Sequence, residues 1–184
     1  GNRGFSGPSS LLYHLYMPTA IQSSEVVKEV RPEAEPARDL RNRHFDTARV
    51  ECGPRLTRDR VPLLFNSDVT LSLARPTATD TAFARNGQAD EMIYVAEGAG
   101  TLESAFGDIV YRPGDYVGVP RGIVHRVGLG EGPHRYLVFE SADYVRAPRR
   151  YRGEHGQLLE GAPYSERDFR APENLRPRDE KGSF

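Results

Sequence analysis

The chain has 184 residues with 25 basic and 26 acidic side chains, a net charge of -1. This length suits one domain with a sizeable core, and the near-zero charge balance argues against a dedicated nucleic-acid binder. The single cysteine excludes an internal disulfide, and no apolar run approaches the roughly 18 residues of a membrane span. With no stretch that resembles a signal peptide, we expect a cytoplasmic protein that binds neither nucleic acid nor membrane.

Glycine and proline are abundant, with 18 and 14 residues. Together they exceed the average share of about 12%, which favours many turns and short strands over long helices. The composition therefore predicts an all-β protein.

Residues 1–60 predict an N-terminal arm. They mix turn formers with an apolar cluster around Leu11, Leu12, Tyr13 and Tyr16, and a stretch of alternating acidic and basic residues follows. No period of two or of 3.6 residues runs through this region. We expect the arm to lie over a neighbouring subunit.

Residues 61–145 predict a barrel. Short runs rich in Val, Ile, Leu, Tyr and Phe alternate here with Gly, Pro, Asn and Asp, a pattern typical of antiparallel sheets. Residues 112–115, Arg-Pro-Gly-Asp, carry Pro and Gly in type II turn order. The seven predicted strands are enough for a small sandwich or barrel, and they cover residues 69–74, 92–97, 100–104, 109–112, 116–119, 125–128 and 135–140.

Residues 146–184 predict a tail or linker. Arginines at positions 146, 149, 150 and 152 open it, and the remainder shows no clear periodicity. We interpret the arginine group as a solvated face or a subunit contact rather than a nucleic-acid site.

Two segments of the barrel region resemble the paired motifs of metal-dependent cupins. In that family an HxH pair precedes a Glu by four or five residues, and a PxGxxH motif follows beyond a Gly-Asp turn. Here Glu91-Met-Ile-Tyr-Val-Ala-Glu-Gly98 resembles the end of the first motif, and the stretch from Pro113 to His125 follows the second closely. The resemblance covers about residues 85–127 and implies a cupin-type jelly-roll β-barrel.

The first motif has lost both histidines. Counting back four or five residues from Glu91 reaches Gly87 or Asn86, and two residues earlier stand Arg85 or Ala84. A non-haem iron site typically needs two His and one carboxylate on one face. The sequence therefore predicts no metal site in this barrel.

Glu91 and His125 remain at motif positions, and we interpret them as remnants of the cupin site in the barrel pocket. For His125 we expect a hydrogen bond to Glu91 or to a backbone carbonyl, because buried polar groups usually find such partners. For Glu91 we expect an ion pair with Arg85 or Arg126. Whether either residue binds a ligand stays open.

Other stretches are similar to the N-terminal half of homogentisate 1,2-dioxygenase, especially its bacterial members. They are residues 9–14 (Ser-Ser-Leu-Leu-Tyr-His), 91–100, 106–121, 156–160 (Gly-Gln-Leu-Leu-Glu) and 162–168 (Ala-Pro-Tyr-Ser-Glu-Arg-Asp). The last two lie outside the generic cupin motifs and so discriminate between cupin families.

The resemblance implies a complete enzyme in which two cupin-like halves are joined. Its C-terminal half binds Fe(II) through two His and a Glu, and the enzyme opens the ring of homogentisate with dioxygen to give maleylacetoacetate in tyrosine and phenylalanine breakdown. It implies a homo-oligomer, a trimer or hexamer, with a small aromatic substrate. No segment of this chain matches the expected ligand motif, so catalytic residues stay unassigned and no cofactor is predicted here.

Two alternatives remain. In the first alternative, the chain is a stand-alone cupin without a metal, which acts as a small-ligand-binding module or as a structural or interaction module. A third interpretation is a metal-dependent isomerase or dioxygenase that recruits Glu97 or Asp90, although strand alternation places Asp90 and Glu91 on opposite faces.

Overall fold

The protein is described by a computed structural model that covers residues 11, 13–17, 19–36, 39 and 42–178. Leu12 of the predicted apolar cluster, and residues 9 and 10 of the first stretch of similarity, lie outside the described residues. The elements, in chain order, are a 3-10 helix Thr47–Arg49, α1 Leu56–Asp59, β1 Val61–Phe65, β2 Val69–Ala74, β3 Asp90–Glu97, β4 Gly100–Ser104, β5 Ile109–Tyr111, β6 Tyr116–Val119, β7 His125–Leu129, β8 Arg135–Ser141, and 3-10 helices Arg149–Tyr151 and Glu166–Asp168.

The strands form two antiparallel sheets that face each other. The larger sheet has the order β1-β2-β8-β3-β6, and the smaller has the order β5-β4-β7. Strands that follow one another in sequence, such as β3 and β4, lie in different sheets, as in a jelly roll. The predicted all-β jelly-roll barrel is confirmed. In the described part of the chain, no helix is long and apolar enough to cross a membrane.

The core lies between the two sheets because apolar side chains alternate along the strands. On β3, Ile93 and Val95 are buried, and on β8 Tyr136 and Val138 are fully buried. The smaller sheet faces them with the buried residues Leu102, Tyr111 and Val127. Every second side chain along these strands is therefore buried between the two sheets, as expected for strands that face the core with one side.

Strand β1 was missed by the sequence analysis, which predicted seven strands and no strand before residue 69. Pro62 lies within this strand, and proline cannot donate to a ladder. The strand forms nevertheless, since β1 is the edge of the larger sheet and only one of its sides pairs, Pro62 opposite Ser72. Three of the seven predicted strands have the observed bounds, and each of the other four differs at one end by one or two residues.

The C-terminal residues run irregularly along the smaller sheet. Arg170 donates to the carbonyl of Val110 at 3.0 Å, next to the edge of β5. Arg170 also pairs with Asp115, and Arg176 pairs with Asp108. These arginines hold the tail against the barrel and cover one edge of the sheet.

A chain of hydrogen bonds crosses the end of the core away from Glu91. The hydroxyls of Tyr111 and Tyr136 lie 3.1 Å apart, and Tyr111 donates to the carbonyl of Gly128 at 3.0 Å. The hydroxyl of Tyr136 is 2.7 Å from Nδ1 of His134, whose Nε2 is 3.1 Å from the carbonyl of Gly130. Because a carbonyl only accepts, Nε2 of His134 carries a proton and donates to Gly130.

This chain of hydrogen bonds predicts a loss of stability at high pH. Burial raises the pKa of Tyr136, its contact with Tyr111 raises it further, and burial also raises the pKa of Tyr111. The unfolded phenols titrate near pH 10, about their ordinary value. The free energy of unfolding should therefore be unaffected by these groups below about pH 10 and fall as the pH rises beyond it.

Urea denaturation between pH 8 and pH 11 measures how steeply the free energy of unfolding falls with pH, and we call this the slope. We expect Tyr136→Phe to reduce it, and Tyr116→Phe, whose ring is 65% exposed, to leave it unchanged. An equal slope in wild type and Tyr136→Phe would contradict the assignment.

Candidate functional site

One end of the barrel holds a polar cavity of about 480 Å³, which we call the barrel mouth. Its apolar floor consists of Leu56, Ile93 and Val127. The polar side chains around it come from five different parts of the fold, and they are Thr57, Arg60, Arg85, Asn86, Gln88, Glu91, His125 and Glu140. The two residues that the cupin motifs singled out, Glu91 and His125, are both among them.

The sheet places two glutamates side by side at the barrel mouth. Glu91 on β3 is the register partner of Glu140 on β8, and both point inward because they continue the buried positions of their strands. The side chain of Glu91 is only 5% exposed and that of Glu140 is 21% exposed. Like charges directly opposite each other destabilise a sheet, so this pair needs a compensating cation.

Arg60 supplies that cation. Its Nη1 is 2.8 Å from Oε1 of Glu91 and its Nη2 is 2.7 Å from Oε1 of Glu140. The guanidinium is only 18% exposed, so it bridges the two carboxylates largely out of water. A planar fork with separate donors can bind two carboxylates at once, which an ammonium group does less well.

The short helix α1 positions Arg60. Leu56 is buried at its first residue, and Thr57 donates through its hydroxyl to Asp80 at 2.6 Å. These two contacts hold α1 against the end of the barrel. Arg60 follows α1 directly and is the last residue before β1. The side chain therefore reaches the mouth from outside the strands.

Asn86 completes the bridge between the glutamates. Its Nδ2 donates to Oε1 of Glu140 at 2.9 Å and to Oε1 of Glu91 at 3.2 Å. Its Oδ1 accepts from the backbone amides of Gln88 and Ala89, which holds the loop in place. An amide thus stands at one of the two positions where the cupin motif has its second histidine.

His125 is held by the backbone. Its Nδ1 lies 3.0 Å from the carbonyl of Ile123, so Nδ1 carries a proton and donates to it. Its Nε2 faces Glu91 Oε2 at 3.8 Å, too long for a direct hydrogen bond. Of the two partners expected for His125, the structure selects the backbone carbonyl.

The expected partners of Glu91 were wrong. Arg126 points to the outer face of the smaller sheet, where its Nη2 pairs with Glu103 at 2.6 Å. Arg85 is an exposed residue at the rim of the mouth. The carboxylate of Glu91 is instead bound by Arg60 and Asn86.

These residues do not fit an iron site. Oε1 of Glu91 and Oε1 of Glu140 each accept a hydrogen bond from the guanidinium of Arg60. Nδ1 of His125 is hydrogen-bonded to the backbone carbonyl of Ile123. Within residues 11–178 as far as the structure describes them, no group of three or more His, Cys, Asp and Glu side chains is arranged to hold a metal ion. The chemistry of the mouth is that of a salt-bridge network.

Sequence reasoning missed Arg60 and Glu140. Glu140 carried a signal, because it continues the alternation of Tyr136 and Val138 and so had to point inward. The sequence carried no such signal for Arg60, because it lies 31 residues from Glu91 in a segment without periodicity.

Part of this fold matches the model of a known protein family. Residues 75–140 match the family model described as "Cupin domain". The matched segment contains β3 to β7 and nearly all of β8, and it includes Glu91, His125 and Glu140. Residues 75–140 are therefore similar to a cupin domain, and charged and polar side chains line the mouth of this barrel.

The relatives extend the comparison beyond the barrel. The chain is 32% identical over 185 residues to a protein of Saccharolobus solfataricus named "Putative dioxygenase SSO1533". The match covers 100% of this chain but only 47% of that protein, so the chain spans about half the length of its relative.

Parts of solved structures are similar to this chain at lower identity. The cupin domain of Cnp3 from Schizosaccharomyces pombe has a TM-score of 0.48 and 11% identity, covering 54% of this chain and 74% of that one. A Ralstonia eutropha JMP134 protein titled "putative mannose-6-phosphate isomerase" has a TM-score of 0.45 and 24% identity, covering 56% of this chain and 100% of that one. These likenesses concern the fold alone.

Proposed function

We propose that this chain is the N-terminal, non-catalytic cupin half of a ring-cleaving dioxygenase of the homogentisate 1,2-dioxygenase type. The complete enzyme converts homogentisate and dioxygen to maleylacetoacetate, with Fe(II) in a second half. The observation that carries the proposal is the bridge of Arg60 between Glu91 and Glu140, which pairs both inward carboxylates with a guanidinium. The match of the whole chain to about half of a longer protein named as a dioxygenase supports it.

Electrostatics at the mouth supports a structural role. Two unit charges 4 Å apart interact by about 4 kcal/mol at an effective dielectric constant of about 20. A divalent cation on the carboxylates of Glu91 and Glu140 would face the guanidinium of Arg60 at about that distance and be repelled roughly twice as strongly. Binding would require the arginine to leave, which gives up both of its ion pairs.

In this proposal the barrel supports the catalytic half as a rigid body. The ion pairs of Arg60 with Glu91 and Glu140 connect the ends of β3 and β8 to the residue that follows α1, which restricts their relative movement. The substrate is a small aromatic diol bound elsewhere in the complete enzyme.

Oxygen uptake with homogentisate tests the proposal. The 184-residue chain and the longest polypeptide that its gene encodes are each reconstituted with Fe(II), and iron content and uptake are measured. We expect less than a tenth of an equivalent of iron and no uptake from the chain, and both from the longer polypeptide. Stoichiometric iron with uptake from the chain alone, or no uptake from the longer polypeptide, would contradict it.

A second candidate function is favoured by the size of the cavity. At about 480 Å³ the mouth is large enough for a small molecule, whose pockets span roughly 300–1,000 Å³. A stand-alone cupin that binds a small ligand would show a rise in melting temperature when that ligand is added. Under the first proposal homogentisate gives no rise with the 184-residue chain, and a saturable rise would favour the second.

A further inference from the structure

Asn86 at the barrel mouth is followed directly by a glycine, Gly87. The chain has asparagines at positions 2, 42, 66, 86 and 174, and none of the other four precedes a glycine. The backbone nitrogen of the residue after an asparagine can attack the carbonyl carbon of the asparagine side chain and close a five-membered succinimide ring. Glycine leaves this approach unhindered, because it has no Cβ. The pair is therefore the position in the chain at which this reaction is sterically easiest.

Two backbone amides hold the side-chain carbonyl of Asn86 in a position that favours the attack. Its Oδ1 accepts from the amide of Gln88 at 3.0 Å and from the amide of Ala89 at 2.9 Å. These bonds fold the side chain forward over the loop that begins with Gly87. Donors placed at an oxygen that becomes negative during a reaction stabilise the tetrahedral intermediate. The same two amides would therefore stabilise the oxyanion that forms when the ring closes.

The attacking group is free to react. Gly87 is exposed, and its backbone amide donates a hydrogen bond to none of the described residues. Nothing lies within 4 Å of the position that a Cβ on Gly87 would occupy. The nitrogen is thus open to water, which removes its proton, and it is next to the carbonyl carbon that it attacks.

We propose that Asn86 is a site of spontaneous deamidation, and that the product weakens the bridge in the barrel mouth. The nitrogen of Gly87 loses its proton to water and forms a bond to Cγ of Asn86. The bond from Cγ to Nδ2 then breaks, and Nδ2 takes up a proton from water and leaves as ammonia. Water opens the ring at either of its two carbonyls and leaves aspartate or isoaspartate in place of Asn86. The whole reaction consumes one water molecule and releases one ammonia.

The product loses the donor that joins the two glutamates. Nδ2 of Asn86 donates to Glu140 at 2.9 Å and to Glu91 at 3.2 Å, and the reaction replaces it with a carboxylate oxygen. The new carboxylate joins those of Glu91 and Glu140 around the single guanidinium of Arg60, and like charges so close together disfavour the ionised state. Isoaspartate also lengthens the backbone by one methylene group, which displaces the loop. The barrel mouth therefore becomes less stable as the protein ages, whichever of the two functions the chain has.

Asn66 provides a matched comparison within the same chain. Its Oδ1 also accepts from the amides two and three residues further on, those of Asp68 and Val69, each at 2.8 Å. The residue that follows it is Ser67 and not glycine. The two asparagines thus share the hydrogen bonds of the carbonyl oxygen and differ in the residue that attacks.

Peptide mass spectrometry after incubation at neutral pH for several weeks tests the proposal on the folded 184-residue chain. The tryptic peptides 86–121 and 61–85 contain one asparagine each, Asn86 and Asn66. We expect the mass gain of deamidation to appear at least about tenfold faster in peptide 86–121, because Ser67 has a Cβ that hinders the approach at Asn66. Fragment spectra distinguish a gain at Asn86 from one at Gln88.

Two variants separate the reaction from its consequence. Gly87→Ser should slow the gain at Asn86 to about the rate of Asn66 and leave the urea midpoint unchanged, because the added side chain has room. Asn86→Asp should lower the urea midpoint. Gly87→Ala replaces Gly87→Ser if the latter is not folded, and deamidated wild-type chain, isolated by ion exchange, replaces Asn86→Asp.

Equal rates at Asn86 and Asn66 overturn the proposal, and so does a rate at Asn86 that Gly87→Ser does not change. A deamidated chain or an Asn86→Asp variant with the urea midpoint of the wild type overturns the proposed weakening of the bridge.

Discussion

Arg60→Ala lowers the free energy of unfolding by about 3 kcal/mol or more, because it leaves two neighbouring carboxylates in the barrel mouth without their cation. Glu91 is 5% exposed and accepts from Arg60 at 2.8 Å, so its carboxylate is stabilised more by this guanidinium than by bulk water. Asn86 remains, but a neutral amide cannot balance two negative charges. Urea denaturation at pH 7 measures the difference.

A matched arginine on the surface is the control for this prediction. Arg135 lies 3.8 Å from Glu97, and both side chains are nearly half exposed, so Arg135→Ala should cost under about 1 kcal/mol. The double variant Arg60→Ala, Glu140→Gln should recover part of the loss, since it removes one of the two facing charges. If Arg60→Ala and Arg135→Ala cost the same, the network at the mouth contributes little to stability.

Gly98→Ala is the second large effect, and it concerns the turn between β3 and β4. Gly98 has φ +89°, in the left-handed region that side chains rarely adopt, and an added Cβ would lie 2.2 Å from Nδ1 of His134. His134 cannot move aside easily, because both of its ring nitrogens are hydrogen-bonded. We expect a loss of more than about 3 kcal/mol, or a chain that does not fold.

Gly132→Ala separates backbone strain from the clash. Gly132 has φ +94° and nothing within 4 Å of an added Cβ, so its replacement costs only the left-handed conformation, about 1–2 kcal/mol. Denaturant midpoints compare the two variants, and the soluble fraction on expression serves if Gly98→Ala is unfolded. Equal losses would mean that the ring of His134 does not confine this turn.

The barrel was readable from sequence because its determinants are local. Short apolar runs such as residues 92–97 and the Pro-Gly turn at 113–114 are recognised from neighbours a few residues apart. Strand β1 was not readable, because Pro62 argues against a strand unless the strand is known to be an edge. Edge position is a property of the sheet and not of the segment.

The candidate site was likewise predictable from the sequence in part only. The motif spacing identified Glu91 and His125, which the fold brings together with 3.8 Å between Oε2 and Nε2. It also identified the missing histidines, and hence the expectation that no metal binds here. It proposed the wrong cation for Glu91, because several arginines lie nearby in sequence and spacing does not say which way each one points.

By itself, then, the sequence determined the all-β architecture and the two motif residues, since period-two burial and turn chemistry are short-range. Only the tertiary structure decided that Arg60, 31 residues before Glu91 and 80 before Glu140, closes the barrel mouth. The pairing depends on the register of β3 with β8 and on the docking of α1, and both are long-range arrangements that no local pattern encodes.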